Sequence, residues 1–149
     1  MSTQSKTGLD IGSLPRVGDL EDEGVVVELR DINDERLFWQ DEKGNEKPVT
    51  ITVAGSYSHR YRRTQEAQTT RVMKRRGGVQ VTGEMLSRQR LELIASCVLG
   101  WEGFVAQGKA WPCTKENVMQ ALQAAPYIRE QVEAAMEDHE AFFKRASGT

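Results

Sequence analysis

The chain has 149 residues, 38% of them hydrophobic and 28% charged, with a formal charge of -2. That is the size of one domain and enough to bury roughly 68–70% of its unfolded surface, so a core needs no disulfide or metal, although the polar composition implies a modest core with exposed segments. No apolar run approaches the roughly 18–20 residues of a membrane span, and the polar start Met1–Asp10 lacks the apolar stretch of a signal peptide, so a soluble chain outside that export route is expected.

Residues 1–24 are rich in Ser, Thr, Gly and acidic residues, and Gly12, Pro15 and Gly18 interrupt any helix. They predict a flexible acidic arm that orders against a partner. Residues 25–149 then form a single α+β domain, with strands over 25–55 and helices over 56–149. Val25–Leu29 is short, β-branched and bounded by Gly24 and an acidic turn, and predicts a strand. Leu37–Gln40 predicts a second strand. Val49–Val53 alternates apolar and hydroxyl residues with period two, so it has one buried face and should pair with Leu37–Gln40 in an antiparallel hairpin.

Ser56 can cap a helix over Tyr57–Arg76, which has a thin apolar stripe ringed by cations and stops at Gly77-Gly78. Leu86, Leu93, Ile94, Cys97, Val98, Trp101 and Phe104 follow helical spacing and predict a helix over Met85–Phe104. After a turn at Gln107–Lys109, Thr114 is a good N-cap with Glu116 in the first turn, and Pro126 opens a last helix at its first position. Along that helix Ile128, Val132, Ala135, His139 and Phe142 form the strongest apolar stripe in the chain. The expected fold is thus α+β, a small N-terminal antiparallel sheet followed by about four helices.

The charge is segregated. Residues 1–50 carry -6, residues 51–90 carry +7 and residues 91–149 carry -3. Such blocks form solvated faces and attract one another. Cys97 and Cys113 stand sixteen positions apart and predict two reduced, half-buried thiols; with only two histidines, no zinc spacing exists. Ser56 to His59 lacks a nucleophile elbow, and residues 77–83 lack the Lys-Ser/Thr pair of a phosphate loop. Asp138, His139 and Glu140 point about 100° apart on a helix, so His139 is expected to be a satisfied packing histidine. Glu130, Glu133, Glu137 and Glu140 make a solvated face. No catalytic, cofactor or metal residues are therefore assigned, and no enzyme is expected.

A basic patch is a more serious candidate. Arg60, Arg62, Arg63, Arg71, Lys74, Arg75 and Arg76 interleave with Tyr57 and Tyr61, as in proteins that bind single strands. The acidic N-terminal third can neutralise it within the molecule, so nucleic acid is the lesser alternative.

The second half carries a resemblance. The segment Cys97–Phe104 (CVLGWEGF), the glycine turn, Trp111–Val118 (WPCTKENV), Pro126–Val132 (PYIREQV) and the closing Phe142-Phe143 resemble the tail assembly chaperones of long-tailed bacteriophages, and related small tail proteins, over about residues 90–143. A fainter likeness runs back through Val49–Arg63. The resemblance implies binding rather than catalysis: such chaperones hold the long helical tape-measure protein soluble in the host bacterial cytoplasm and help recruit tail tube subunits. A second copy of the chain is a further expected partner, a membrane is not, and residence in the virion tail or neck is the alternative reading. Physically, an apolar groove can cover the exposed stripe of a long helix. The candidate groove residues are Trp101, Phe104, Trp111, Ile128, Val132, Met136, Phe142 and Phe143, with the domain's own core as the competing role for each.

Overall fold

A computed structural model describes residues 8–75 and 81–146. Glycine turn, helix cap and hydroxyl–apolar alternation convert the middle of the chain into an α+β fold of small antiparallel sheets and six α-helices among the described residues. A short 3-10 turn over Ile11–Ser13 leads to helix α1 (Val17–Glu23). Strands β1 (Val25–Glu28), β2 (Phe38–Gln40), β3 (Glu46–Pro48) and β4 (Thr50–Val53) follow. Helices α2 (His59–Lys74) and α3 (Gly83–Ser96) precede strands β5 (Val98–Glu102), β6 (Val105–Ala106) and β7 (Lys109–Ala110). Helices α4 (Lys115–Ala124), α5 (Pro126–Glu137) and α6 (His139–Ala146) complete the described residues.

The central sheet has the order β1-β4-β5, all antiparallel, with Val25 opposite Val53 and Ile51 opposite Trp101. Ile51 and Val53 are buried while Thr50 and Thr52 are half-buried, as the period-two pattern requires. That face packs on Leu91, Ile94, Val118, Leu122, Ile128, Val132 and Met136 from the helices. Fully burying each such side chain contributes about 1.5–3 kcal/mol. Thr114 caps α4 by accepting from the Asn117 N–H, Glu116 lies in the first turn, and Pro126 starts α5.

Several expectations are corrected. Strand β2 pairs with Glu46–Pro48; of the expected pairing with Val49–Val53 only the Val49 N–H donating to the Leu37 carbonyl is present, and Thr50–Val53 pairs with β1 and β5. The hairpin closes directly after Gln40 because the Asp41 carboxylate accepts from the Lys43 and Asn45 N–H groups and holds a tight turn there. The cap of α2 is Ser58, not Ser56; its buried hydroxyl accepts from the Tyr61 N–H. The helix predicted over Met85–Phe104 ends at Ser96, and residues 98–102 form the edge strand β5. Its Val-Leu-Gly-Trp run satisfies both periods over a short window, and pairing with β4 decides the outcome. Strands therefore interrupt the segment 56–149 that was expected to be helical. The last helix breaks at Asp138, so α5 and α6 are separate. Residues 76–80, including Gly77-Gly78, lie outside the described residues.

The arm is the largest departure. Residues 17–23 form a helix docked on the domain, where an unstructured arm was expected, and Glu21 is fully buried. Periodicity could not reveal this helix because polar groups anchor it.

Candidate functional site

Three aromatic residues converge beside the edge of the central sheet. Trp101 comes from β5, Phe104 from the turn after it, and Trp111 from just beyond β7. Trp101 stacks on Phe104 with centroids 4.1 Å apart and planes within 10°, and on Trp111 at 5.4 Å and 25°. The Trp101 indole N–H donates to the Trp111 carbonyl at 2.7 Å, which satisfies the polar edge of a half-buried ring. Trp39 on β2 joins them. A Cβ on Gly103, whose φ is +91°, would fall 2.5 Å from the Trp39 ring, so only glycine lets the ring lie on that backbone. Together with Val105 and Ala110 these residues line an open hollow of about 250 Å³.

Of the eight residues predicted to form a groove, Trp101, Phe104 and Trp111 therefore meet. Ile128, Val132, Met136 and Phe142 are buried in the core and cannot line a surface groove without unfolding; their regular stripe is simply the inner face of α5 and α6. Phe143, 36% exposed, sits on α6 and is not part of the hollow's lining. Sequence reasoning missed Trp39 and Val105. The apolar run Leu37-Phe38-Trp39, whose side chains alternate faces once the segment is a strand, was the available signal for Trp39, whereas Val105 lies on a two-residue strand too short to show a period.

The predicted basic patch divides. Arg60 and Arg63 line a hollow with Ser96, Cys113 and Lys115, and the Arg60 guanidinium donates to the Ser96 carbonyl. Arg62 borders a separate hollow beside Tyr57 and His59. Arg71 and Arg75 face Arg88 across a groove between α2 and α3, and Lys74 is exposed at the same end of α2. Arg76 lies outside the described residues. The interleaved rings are already engaged: Tyr57 stacks on His139 at 3.7 Å, and the Tyr61 hydroxyl accepts from Arg90 at 3.2 Å.

Glu92 gathers the surrounding donors. Its carboxylate accepts from Gln68 (3.0 Å), Arg71 (2.6 Å) and Lys115 (3.2 Å), joining α2, α3 and α4. Burial alone would raise this carboxyl, but the hydrogen bonds from Gln68, Arg71 and Lys115 outweigh it and hold the pKa down at about 2.

A third cluster explains α1. Glu21 accepts from the Tyr57 N–H at 2.9 Å and lies 2.6 Å from His139 Nδ1, while His139 Nε2 is 3.5 Å from Glu137. Asp22 accepts from the Arg60 N–H, Asp19 pairs with His59, and Arg145 donates to the Leu20 carbonyl and to Glu23. Acidic α1 thus caps the positive N-terminal end of α2. His139 is a packing histidine with both nitrogens beside carboxylates. Burial pushes the Cys97 thiol up to about 11, which suppresses its thiolate; Cys113 is exposed rather than half-buried, though partial burial still raises it. Among the described residues no three His, Cys, Asp or Glu side chains are arranged to hold a metal ion, and no helix is long and apolar enough to cross a membrane.

No known protein family, curated protein or solved structure matches the chain.

Proposed function

We propose that this chain is a tail assembly chaperone of a long-tailed bacteriophage, acting in the host bacterial cytoplasm. It binds the helical tape-measure protein and helps recruit tail tube subunits. Two things support the reading: the resemblance carried by residues 90–143, and the half-buried cluster of Trp39, Trp101, Phe104 and Trp111 around an open hollow beside exposed Val105. Aromatic rings held by stacking and by two indole hydrogen bonds, Trp101 to the Trp111 carbonyl and Trp39 to the Pro48 carbonyl, offer apolar area at little entropic cost, which suits capture of an apolar helix stripe. Against the nucleic-acid reading, one face of the Tyr57 ring is taken by His139 and Tyr61 is part-buried with its hydroxyl bonded to Arg90, which leaves less ring area for base stacking.

The test is co-expression of a tape-measure fragment with wild type or with Trp111→Ser combined with Val105→Ser. Lost fragment solubility, beside a thermal melt close to wild type, supports the chaperone surface. A fragment that stays insoluble with wild type, or soluble with the variant, refutes it. Near-stoichiometric presence of the chain in purified particles would replace the proposal with a resident virion protein of the tail or neck.

A further inference from the structure

The far ends of α2 and α3 carry a surface that the aromatic hollow does not explain. Between them lies a groove of about 370 Å³, with Val72 and Met85 supplying apolar lining and Arg71, Arg75 and Arg88 supplying cations. Its one acid, Glu92, is already held by Arg71, Gln68 and Lys115. Among the described residues neither Arg75 nor Arg88 makes an ion pair, so their charge faces outward. The described parts of the two helices, residues 59–75 and 83–96, hold eight Lys/Arg against three Asp/Glu, a formal +5 on a chain whose total is -2. Apolar side chains continue beyond the groove at this end: Met73 is 80% exposed and Leu86 is 56% exposed.

We propose that this groove receives an acidic amphipathic helix from a partner protein. The partner lays an apolar stripe against Val72 and Met85 and presents carboxylates on both flanks to Arg75 and Arg88. Charge complementarity selects the occupant. A cationic cleft attracts carboxylates or phosphates, but the exposed Met, Val and Leu side chains have nothing to gain from a phosphate backbone, whereas flexible methionines accommodate apolar helix faces of varied shape. Two unpaired arginines also match carboxylates in planar, paired hydrogen bonds. The inference stands apart from the aromatic hollow and does not depend on the chaperone reading.

The test uses the full chain and a dye-labelled synthetic helix of about 20 residues, with leucines at helical spacing and glutamates on both flanks. Binding is read by fluorescence anisotropy. Wild type is expected to bind, at least about tenfold more tightly than Arg75→Glu combined with Arg88→Glu. The same charge-reversed variant should bind a lysine-flanked version of the peptide better than wild type does, which shows that it remains folded. Val72→Ser combined with Met85→Ser should weaken binding of the glutamate peptide without changing its salt dependence. The proposal is overturned if wild type does not bind the peptide, or if a glutamate peptide lacking the leucines binds equally well. It is also overturned if oligo-dT binds more tightly than the peptide through Arg75 and Arg88, which assigns the groove to nucleic acid. Sedimentation showing a wild-type dimer broken by the Arg75/Arg88 reversal would assign the groove to a second copy of the chain instead.

Discussion

Removing the Glu92 carboxylate should loosen the junction of α2, α3 and α4 in a way that depends on pH. In the folded chain this group titrates at about 2 against an ordinary value of 4.5. The folded pKa is depressed, so the contribution is fully present above pH 4.5 and is lost as pH falls from there toward 2. At 1.36 kcal/mol per pH unit the shift corresponds to at most about 3 kcal/mol. Arg71 and Lys115 are 60% and 56% exposed, so water and salt screen their attraction, and about 1–2 kcal/mol is the expected net value. Glu92→Gln, which keeps the size but removes the charge, should lower the melting temperature at pH 7 by roughly 2–8 °C. The assay is paired urea and thermal unfolding of wild type and variant between pH 7 and pH 3. The difference between them should shrink as pH falls through about 4.5, because protonation deprives the wild type of the same charge. An equal deficit at every pH would show that packing, not charge, is responsible. No deficit at pH 7 would refute the network's role altogether.

Other outcomes follow from burial and close approach. Phe142→Ala should destabilise the fold by about 3–5 kcal/mol, whereas Phe143→Ser, at a residue 36% exposed, should cost only about 1–2 kcal/mol; denaturant titration of both variants checks the contrast. Gly55→Ala places a methyl group against the buried Glu21 carboxylate, so α1 should detach and become protease-sensitive before Val25, while unchanged cleavage would mean that α1 is held by something else. A thiol reagent at neutral pH should label exposed Cys113 first and buried Cys97 only on unfolding, read by mass spectrometry of timed samples.

What the sequence disclosed depended on how each segment is stabilised. Strand β4 was legible because its hydroxyl–apolar alternation has one buried face, and α4 and α5 because Thr114 and Pro126 mark their starts. Strand β5 was hidden by leucine, valine and tryptophan spaced equally well for a helix, and its pairing with Ile51 lies about fifty positions away. The break at Asp138 leaves the apolar stripe of α5 and α6 unbroken, so periodicity passed over it. Helix α1 was missed for a different reason: its anchor is a carboxylate, and no count of apolar residues registers Glu21 as buried. The aromatic hollow was half legible. Trp101, Phe104 and Trp111 lie close together in the chain, but Trp39 reaches them only through the fold.

The attachment of α1 has a consequence for the order of events during synthesis. Glu21, Glu23 and Leu20 find their partners His139 and Arg145 at separations of 118, 122 and 125 positions. On a growing chain, α1 is made before the central sheet, yet it acquires these contacts only after α6 has been translated. The central sheet, whose strands end by Glu102, can pair well before then. Helix α1 can cap the start of α2 as soon as residues 55–60 have followed it, but His139 and Arg145 close over it only when α6 arrives, so completion of its docking is the late step.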